Sequence, residues 1–109
     1  MIDLLKEHIE EIGALCRRYG VRRLDLIGSA ATGDFNPATS DLDFLASFAN
    51  TDVPGYAGRY LDFADALEAL FGRSVDVITD GSIRKPRYRD LIDATKQPLY
   101  DDQDTPAVA

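Results

Sequence analysis

Apolar residues switch rhythm repeatedly along this chain, from spacings of three and four to strict alternation and back, and that switching limits it to a sheet packed with helices. Ile2, Leu5, Ile9, Ile12, Cys16 and Tyr19 predict an amphipathic helix over 2–19, with Glu7, Glu10, Glu11, Arg17 and Arg18 mostly on its wet side. Gly20 reads as its stop. Val21 to Ile27 predicts a first strand, with Leu24 and Leu26 on one face and Asp25 and Ile27 on the other. Gly28-Ser29 ends it, and Ala30-Ala31-Thr32 suits a short helical turn before Gly33. The turn-rich residues 34–40 form a loop ahead of a second strand over 41–48. A second loop, 50–58, leads to a helix marked by Tyr60, Leu61, Ala64, Leu67, Leu70 and Phe71 and closed by Gly72. A third strand over 74–79 follows, then a helix over 86–95 with Pro86 in its first turn, and a short extended piece at Leu99-Tyr100.

The expected fold class is therefore α/β (α+β), a small sheet flanked by helices. A short loop between the first two strands suits an antiparallel pair, which favours a mixed sheet. One domain is expected over 1–100, with the small polar stretch 101–109 as a frayed tail.

Charge narrows the function classes. The 109 residues carry 19 acidic and 12 basic side chains, a formal net charge of −7. That balance argues against direct nucleic-acid binding, which needs clustered Lys and Arg to displace counterions. A small anion delivered with a metal is compatible with it, as is a more basic protein partner. The single cysteine, Cys16, lies on the apolar stripe of the first helix, permits no intrachain disulfide, and fits a cytoplasmic location. No apolar run reaches the ~20 residues of a membrane span. Lys6, Glu7, Glu10 and Glu11 interrupt the start, so no signal peptide is expected. His8 reads as a surface residue at the helix margin.

The chemistry is concentrated in Gly28-Ser29-Ala30-Ala31-Thr32-Gly33, a loop, and then Ser40-Asp41-Leu42-Asp43. Gly28 and Gly33 let the backbone approach a ligand closely. A helical turn after Ser29 would aim N–H groups at an anion, with the Ser29 hydroxyl as a further donor. Asp41 and Asp43, two apart on a strand, project from one face, and two such charges repel unless a cation lies between them. Mg2+ is a hard ion that commonly takes one or two protein carboxylates plus substrate phosphates. Asp76 supplies a third carboxylate, in a strand whose Val75 and Val77 face the other way. An acid in so apolar a strand is costly to bury. Beside the Asp41/Asp43 pair it becomes a metal ligand or the base for an attacking hydroxyl. Each feature alone is ordinary turn or strand-edge chemistry. Their joint order along the chain is what favours function.

This pattern resembles the polymerase-β-type nucleotidyltransferase superfamily, and the short length resembles its minimal (MNT) members; the resemblance spans roughly Leu5 to Tyr100. It implies a polymerase-β-like nucleotidyltransferase fold. Gly28 and Ser29 would bind the phosphates of ATP, Asp41 and Asp43 would bind metal, and Asp76 would complete a catalytic set of three carboxylates. Minimal members resemble the antitoxin halves of toxin–antitoxin pairs whose partner is a HEPN-domain ribonuclease toxin. The implied activity is transfer of AMP from ATP to a tyrosine hydroxyl of that toxin. One departure stands out: relatives often carry an arginine between the serine and the second glycine, where this chain has Ala30-Ala31-Thr32. Arg84, Lys85, Arg87 and Arg89 form a basic stretch that suits a solvated helix start, phosphate contacts or an acidic partner. Two other readings stay open: a transferase acting on a small molecule, and an antitoxin that works by contact alone.

Overall fold

The first apolar stripe folds as two helices. A computed structural model describes residues 2–104, with α1 at Asp3–Lys6 and α2 at Ile9–Tyr19. The break falls at His8, whose backbone leaves the helical region (φ −116°, ψ 15°). Its ring stays engaged, with Nδ1 2.9 Å from the Leu4 carbonyl oxygen and the ring edge-on to Phe71 at 5.3 Å. His8 is therefore a joint between two helices, half-buried where a margin residue was expected.

The remaining elements are β1 (Val21–Ile27), α3 (Ser29–Thr32), β2 (Leu42–Phe48), α4 (Tyr56–Phe71), β3 (Val75–Thr79), α5 (Pro86–Thr95) and β4 (Gln97–Asp101). α4 begins four residues ahead of Tyr60, because Gly55 at φ 96° turns the chain into it. Asp41 lies just outside β2 and Ser74 just outside β3. At the other end, Asp101 completes β4 and Asp102–Asp104 form a 3-10 turn; the rest of the expected tail, 105–109, lies outside the described residues.

The sheet order is β3-β2-β1-β4, with β1 antiparallel to both β2 and β4 and β2 parallel to β3. It is a mixed four-stranded sheet, as the short loop between the first two strands suggested. One face carries Leu24, Leu26, Leu42, Phe44, Ala46 and Val77 and packs against α1, α2 and α4 through Leu5, Ile12, Cys16, Phe63 and Leu67. This is the main core. The opposite face is covered over part of its area by α5, where Ile92 packs on Ile27 and Leu45, with Ile78 and Ile83 at the margin. The uncovered remainder of that second face is where the acidic residues lie.

Cys16 is fully buried, and burial pushes its thiol up to about 12, so it is a small apolar core residue.

Candidate active site

Strand register brings two of the three carboxylates together. β2 and β3 run parallel with Asp43 opposite Asp76, so both side chains leave the same face of neighbouring strands, which lie about 4.8 Å apart. Asp41 is exposed on the approach to β2, two residues upstream. Burial first, then Asp76, then Asp41, push the Asp43 carboxyl above the usual carboxylate value.

The Gly28 turn presses on the same spot. Gly28 adopts φ 70°, and a Cβ placed there would collide with the Asp43 carboxylate, 3.1 Å from its Cγ. The glycine is required twice, for its backbone angle and for the space. β1 delivers the turn to this position because Ile27 pairs with Asp43. α3 follows at once, with Ala31 and Thr32 N–H donating to the Gly28 carbonyl at 3.0 and 3.1 Å. No side chain caps its amino end, and Ser29 is half-buried there. Gly33 ends α3 at φ 90° with open space around it, so its role is the turn itself. From β4, Gln97 Nε2 donates to the Ala31 carbonyl at 3.0 Å and ties the turn down.

The residues between Ser29 and Gly33 present no cation. Ala30 is buried in the core, and Thr32 Oγ1 donates to Asp34 Oδ2 at 3.1 Å. Of the basic stretch, Arg89 is engaged elsewhere, on Asp80 Oδ1 at 2.8 Å and the Asp80 carbonyl at 2.9 Å. Arg84, Lys85 and Arg87 are exposed and carry no ion pair among the described residues.

The donor set fits a divalent cation. Among the described residues no three His, Cys, Asp or Glu side chains close into a protein-only metal cage. Mg2+ does not need one, because it keeps open positions for substrate phosphates and water. Burial, and after it the charges of Asp76 and Asp41, make an ionised Asp43 costly, and a hard dication would offset that cost.

Three neighbours were not apparent from sequence. Asp25, on the second face beside Leu45, is only 3% exposed, and its Oδ1 has no hydrogen-bond partner. The Tyr60 hydroxyl donates to the Val77 carbonyl, one residue from Asp76; burial and then Asp76 push that hydroxyl up. Arg73 reaches the Ser40 carbonyl beside Asp41. Local spacing carries no signal for such long-range contacts.

A family model described as the nucleotidyltransferase domain matches residues 9–97. A putative protein adenylyltransferase of Methanocaldococcus jannaschii is 31% identical over 91 residues, 84% of this chain and 86% of the relative. The chain belongs to the nucleotidyltransferase family. Within it, it is a minimal nucleotidyltransferase of the polymerase-β-type superfamily. A solved structure of a putative minimal nucleotidyltransferase superposes on this one with a TM-score of 0.73 at 31% identity, over 90% of this chain and 97% of that one. More distant structures share the fold. A toxin–antitoxin pair with AMP-PNP matches at TM-score 0.66 and 20% identity, over 87% of this chain and 74% of that one. A tri-AMPylated Shewanella oneidensis HEPN toxin in complex with MNT antitoxin matches at 0.62 and 17%, over 91% and 74%. This minimal nucleotidyltransferase has no described helix long and apolar enough to cross a membrane.

Proposed function

We propose that this nucleotidyltransferase moves AMP from ATP to a hydroxyl of a protein partner, a tyrosine of a HEPN ribonuclease toxin, and so acts as its antitoxin. The observation that carries the chemistry is the Asp43–Asp76 pairing across parallel strands, with Asp41 close enough to repel Asp43 and the Gly28 turn packed on the same carboxylate. The acceptor class is supported by the adenylyltransferase relative and by the shared fold of the toxin–antitoxin structures.

In this reading Asp41 and Asp43 hold Mg2+, and Gly28, Ser29 and the α3 turn that Gly33 closes receive the phosphates of ATP. When bound, the ion supplies Lewis-acid stabilisation of the charge that builds on the phosphates. The acceptor oxygen bonds to the α-phosphorus as the bond from that phosphorus to the bridging oxygen breaks, and pyrophosphate leaves. Asp76 faces the same side as Asp43, which supports its role here as the group that receives the hydroxyl proton. The outer edge of β3 is blunted, since Tyr60 donates to the Val77 carbonyl and Ser82 Oγ to the Thr79 carbonyl at 2.8 Å. An acceptor polypeptide therefore does not add a strand at this edge, the one beside Asp76.

The test is intact mass of the partner toxin after incubation with this protein, ATP and Mg2+. A gain of one or more AMP units, abolished by Asp41→Ala, is the expected result. No gain in a stable complex would replace this reading with neutralisation by contact alone, a possibility that the missing α3 arginine keeps in view.

A further inference from the structure

Asp43 and Asp76 are fixed by the sheet ladder, but Asp41 is not. It sits outside β2, exposed, at the end of the loop that leaves α3. Its downstream neighbour is anchored, because Leu42 N–H donates to the Ser74 carbonyl at 3.2 Å. Upstream, residues 36–40 form a knot bonded to itself. Thr39 and Ser40 N–H donate to the Asn36 carbonyl at 3.1 and 2.8 Å, Asn36 N–H to Ser40 Oγ at 2.9 Å, and Ala38 N–H to Asn36 Oδ1 at 2.9 Å. Such a knot keeps its own shape but needs a strut to hold it against the body of the protein.

The loop does not rest on the core along its whole length. A cavity of about 550 Å3 lies against it, lined by Ile2, Asp3, Leu4, Gly33, Phe35, Pro37 and Arg73. Arg73 is the cation of this lining. Its backbone is held between the Gly72 cap of α4, whose N–H donates to the Glu68 carbonyl at 2.8 Å, and Ser74, which anchors Leu42. Its guanidinium carbon stands 5.1 Å over the Phe35 ring, near the start of the loop, and Nη1 donates to the Ser40 carbonyl at 3.5 Å, at its end. Asp3 lines the same cavity, but Arg73 forms no ion pair with it or with any other acid among the described residues, and its buried Nε has no acceptor. An arginine this sheltered and unpaired by carboxylate is not explained as an ordinary ion pair.

We propose that Arg73 is a positioning residue: by clamping both ends of the 34–41 loop it sets Asp41 against the Asp43–Asp76 pair. This rests on the reading above that Asp41 holds Mg2+. A planar, forked guanidinium lies over the ring while its edge donates to the carbonyl; the shorter, compact ammonium of lysine spans the two less well even though it keeps the charge. Small displacements of a positioned group cost up to ~100-fold in rate.

The decisive variants are Arg73→Lys and Phe35→Leu, each compared with wild type and with Asp41→Asn. Transfer is followed as a function of Mg2+ and of ATP, and Mn2+ binding in the presence of a non-hydrolysable ATP analogue is measured by electron paramagnetic resonance. Arg73→Lys is expected to need roughly 5- to 10-fold more Mg2+ for half-maximal rate and to bind Mn2+ more weakly by a similar factor, while KM for ATP at saturating metal moves less than about twofold. Phe35→Leu, which removes the stacking surface and leaves every charge in place, is expected to shift metal dependence the same way. Added to Asp41→Asn, Arg73→Lys should cost nothing further, because the clamp acts through Asp41. Unchanged metal dependence in both Arg73→Lys and Phe35→Leu overturns the proposal, as does full additivity with Asp41→Asn. If Asp41→Asn itself binds Mn2+ and transfers AMP like wild type, the metal reading of Asp41 fails first, and the clamp falls with it.

Discussion

Gly28 and Asp43 constrain each other, so the smallest change at either should be felt in the site. Gly28→Ala forces a methyl group against the Asp43 carboxylate and an L-residue into φ 70°. The backbone term alone costs roughly 1–2 kcal/mol. A lowered denaturation midpoint together with a loss of transfer larger than the stability change explains is the expected result. Asp43→Asn keeps the shape and removes the charge, and should lower kcat by on the order of 100-fold or more while leaving the fold intact. Thr32 occupies an exposed place in the turn where no cation stands. If phosphates lie over α3, Thr32→Arg should lower KM for ATP, and an unchanged or raised KM would move the phosphates elsewhere. Asp25 carries a different cost. Burial is the main cause that raises its carboxyl above 3.8, with Arg23 and then Lys96 opposing. A carboxyl harder to ionise folded than unfolded contributes stability below its unfolded value and loses it as pH rises through the folded one. Asp25→Asn should therefore gain stability over wild type as pH rises from 4 toward neutrality, and equal melting-temperature differences at pH 4 and pH 8 would contradict this.

At the scale of elements, legibility follows from how far the stabilising contacts reach along the chain. α5 was readable to its ends because Pro86 starts it and its period is local. β1, β2 and β3 were readable because alternation reports which face is buried, and the same alternation placed Asp43 and Asp76 on one side. The break at His8 was not readable, since apolar spacing continues across it. Nor was the burial of Asp25: its face was evident, but its flanking strand partners, Leu45 and Pro98, lie far along the chain. The tethers are the clearest case. Gln97 to Ala31 spans 66 residues and Arg73 to Ser40 spans 33, and no local pattern encodes either. Arg59 is a third. It donates to the carbonyls of Tyr19, Ala49 and Asn50 at 2.9, 2.7 and 3.0 Å, and thus joins the end of α2, the exit of β2 and the start of α4. Gly20 lacks a side chain where that guanidinium passes. Arg59→Ala should lower stability by roughly 2–3 kcal/mol in denaturant melts. Because this joint lies at the end of β2 remote from Asp43, kcat at a temperature where the variant is folded should stay within about twofold. A large fall in kcat in fully folded protein would mean that the joint transmits to the site.

For the whole molecule, the proposed function requires a docking face on an acidic chain. Its net charge of −7 is unevenly spread. Arg84, Lys85 and Arg87 stand exposed and unpaired among the described residues at the start of α5, and on the same helix Tyr88 and Leu91 are 41% and 56% exposed. Spaced three apart, those two side chains are neighbours on the helix surface. Exposed cations beside an exposed apolar pair suit a protein interface, whereas a phosphate site would carry the cations without the apolar pair. The two uses separate cleanly in experiment. If the face docks an acidic protein surface, Arg84→Glu with Arg87→Glu should slow association with the partner about 10-fold or more at low salt, with the deficit shrinking as salt rises. ATP binding by the isolated protein should be unchanged. Leu91→Asp should instead speed dissociation at every salt concentration, because it removes apolar contact. If ATP affinity falls with the double charge reversal and partner binding does not, these residues serve the triphosphate in place of the absent α3 cation, and the docking surface lies elsewhere on the molecule.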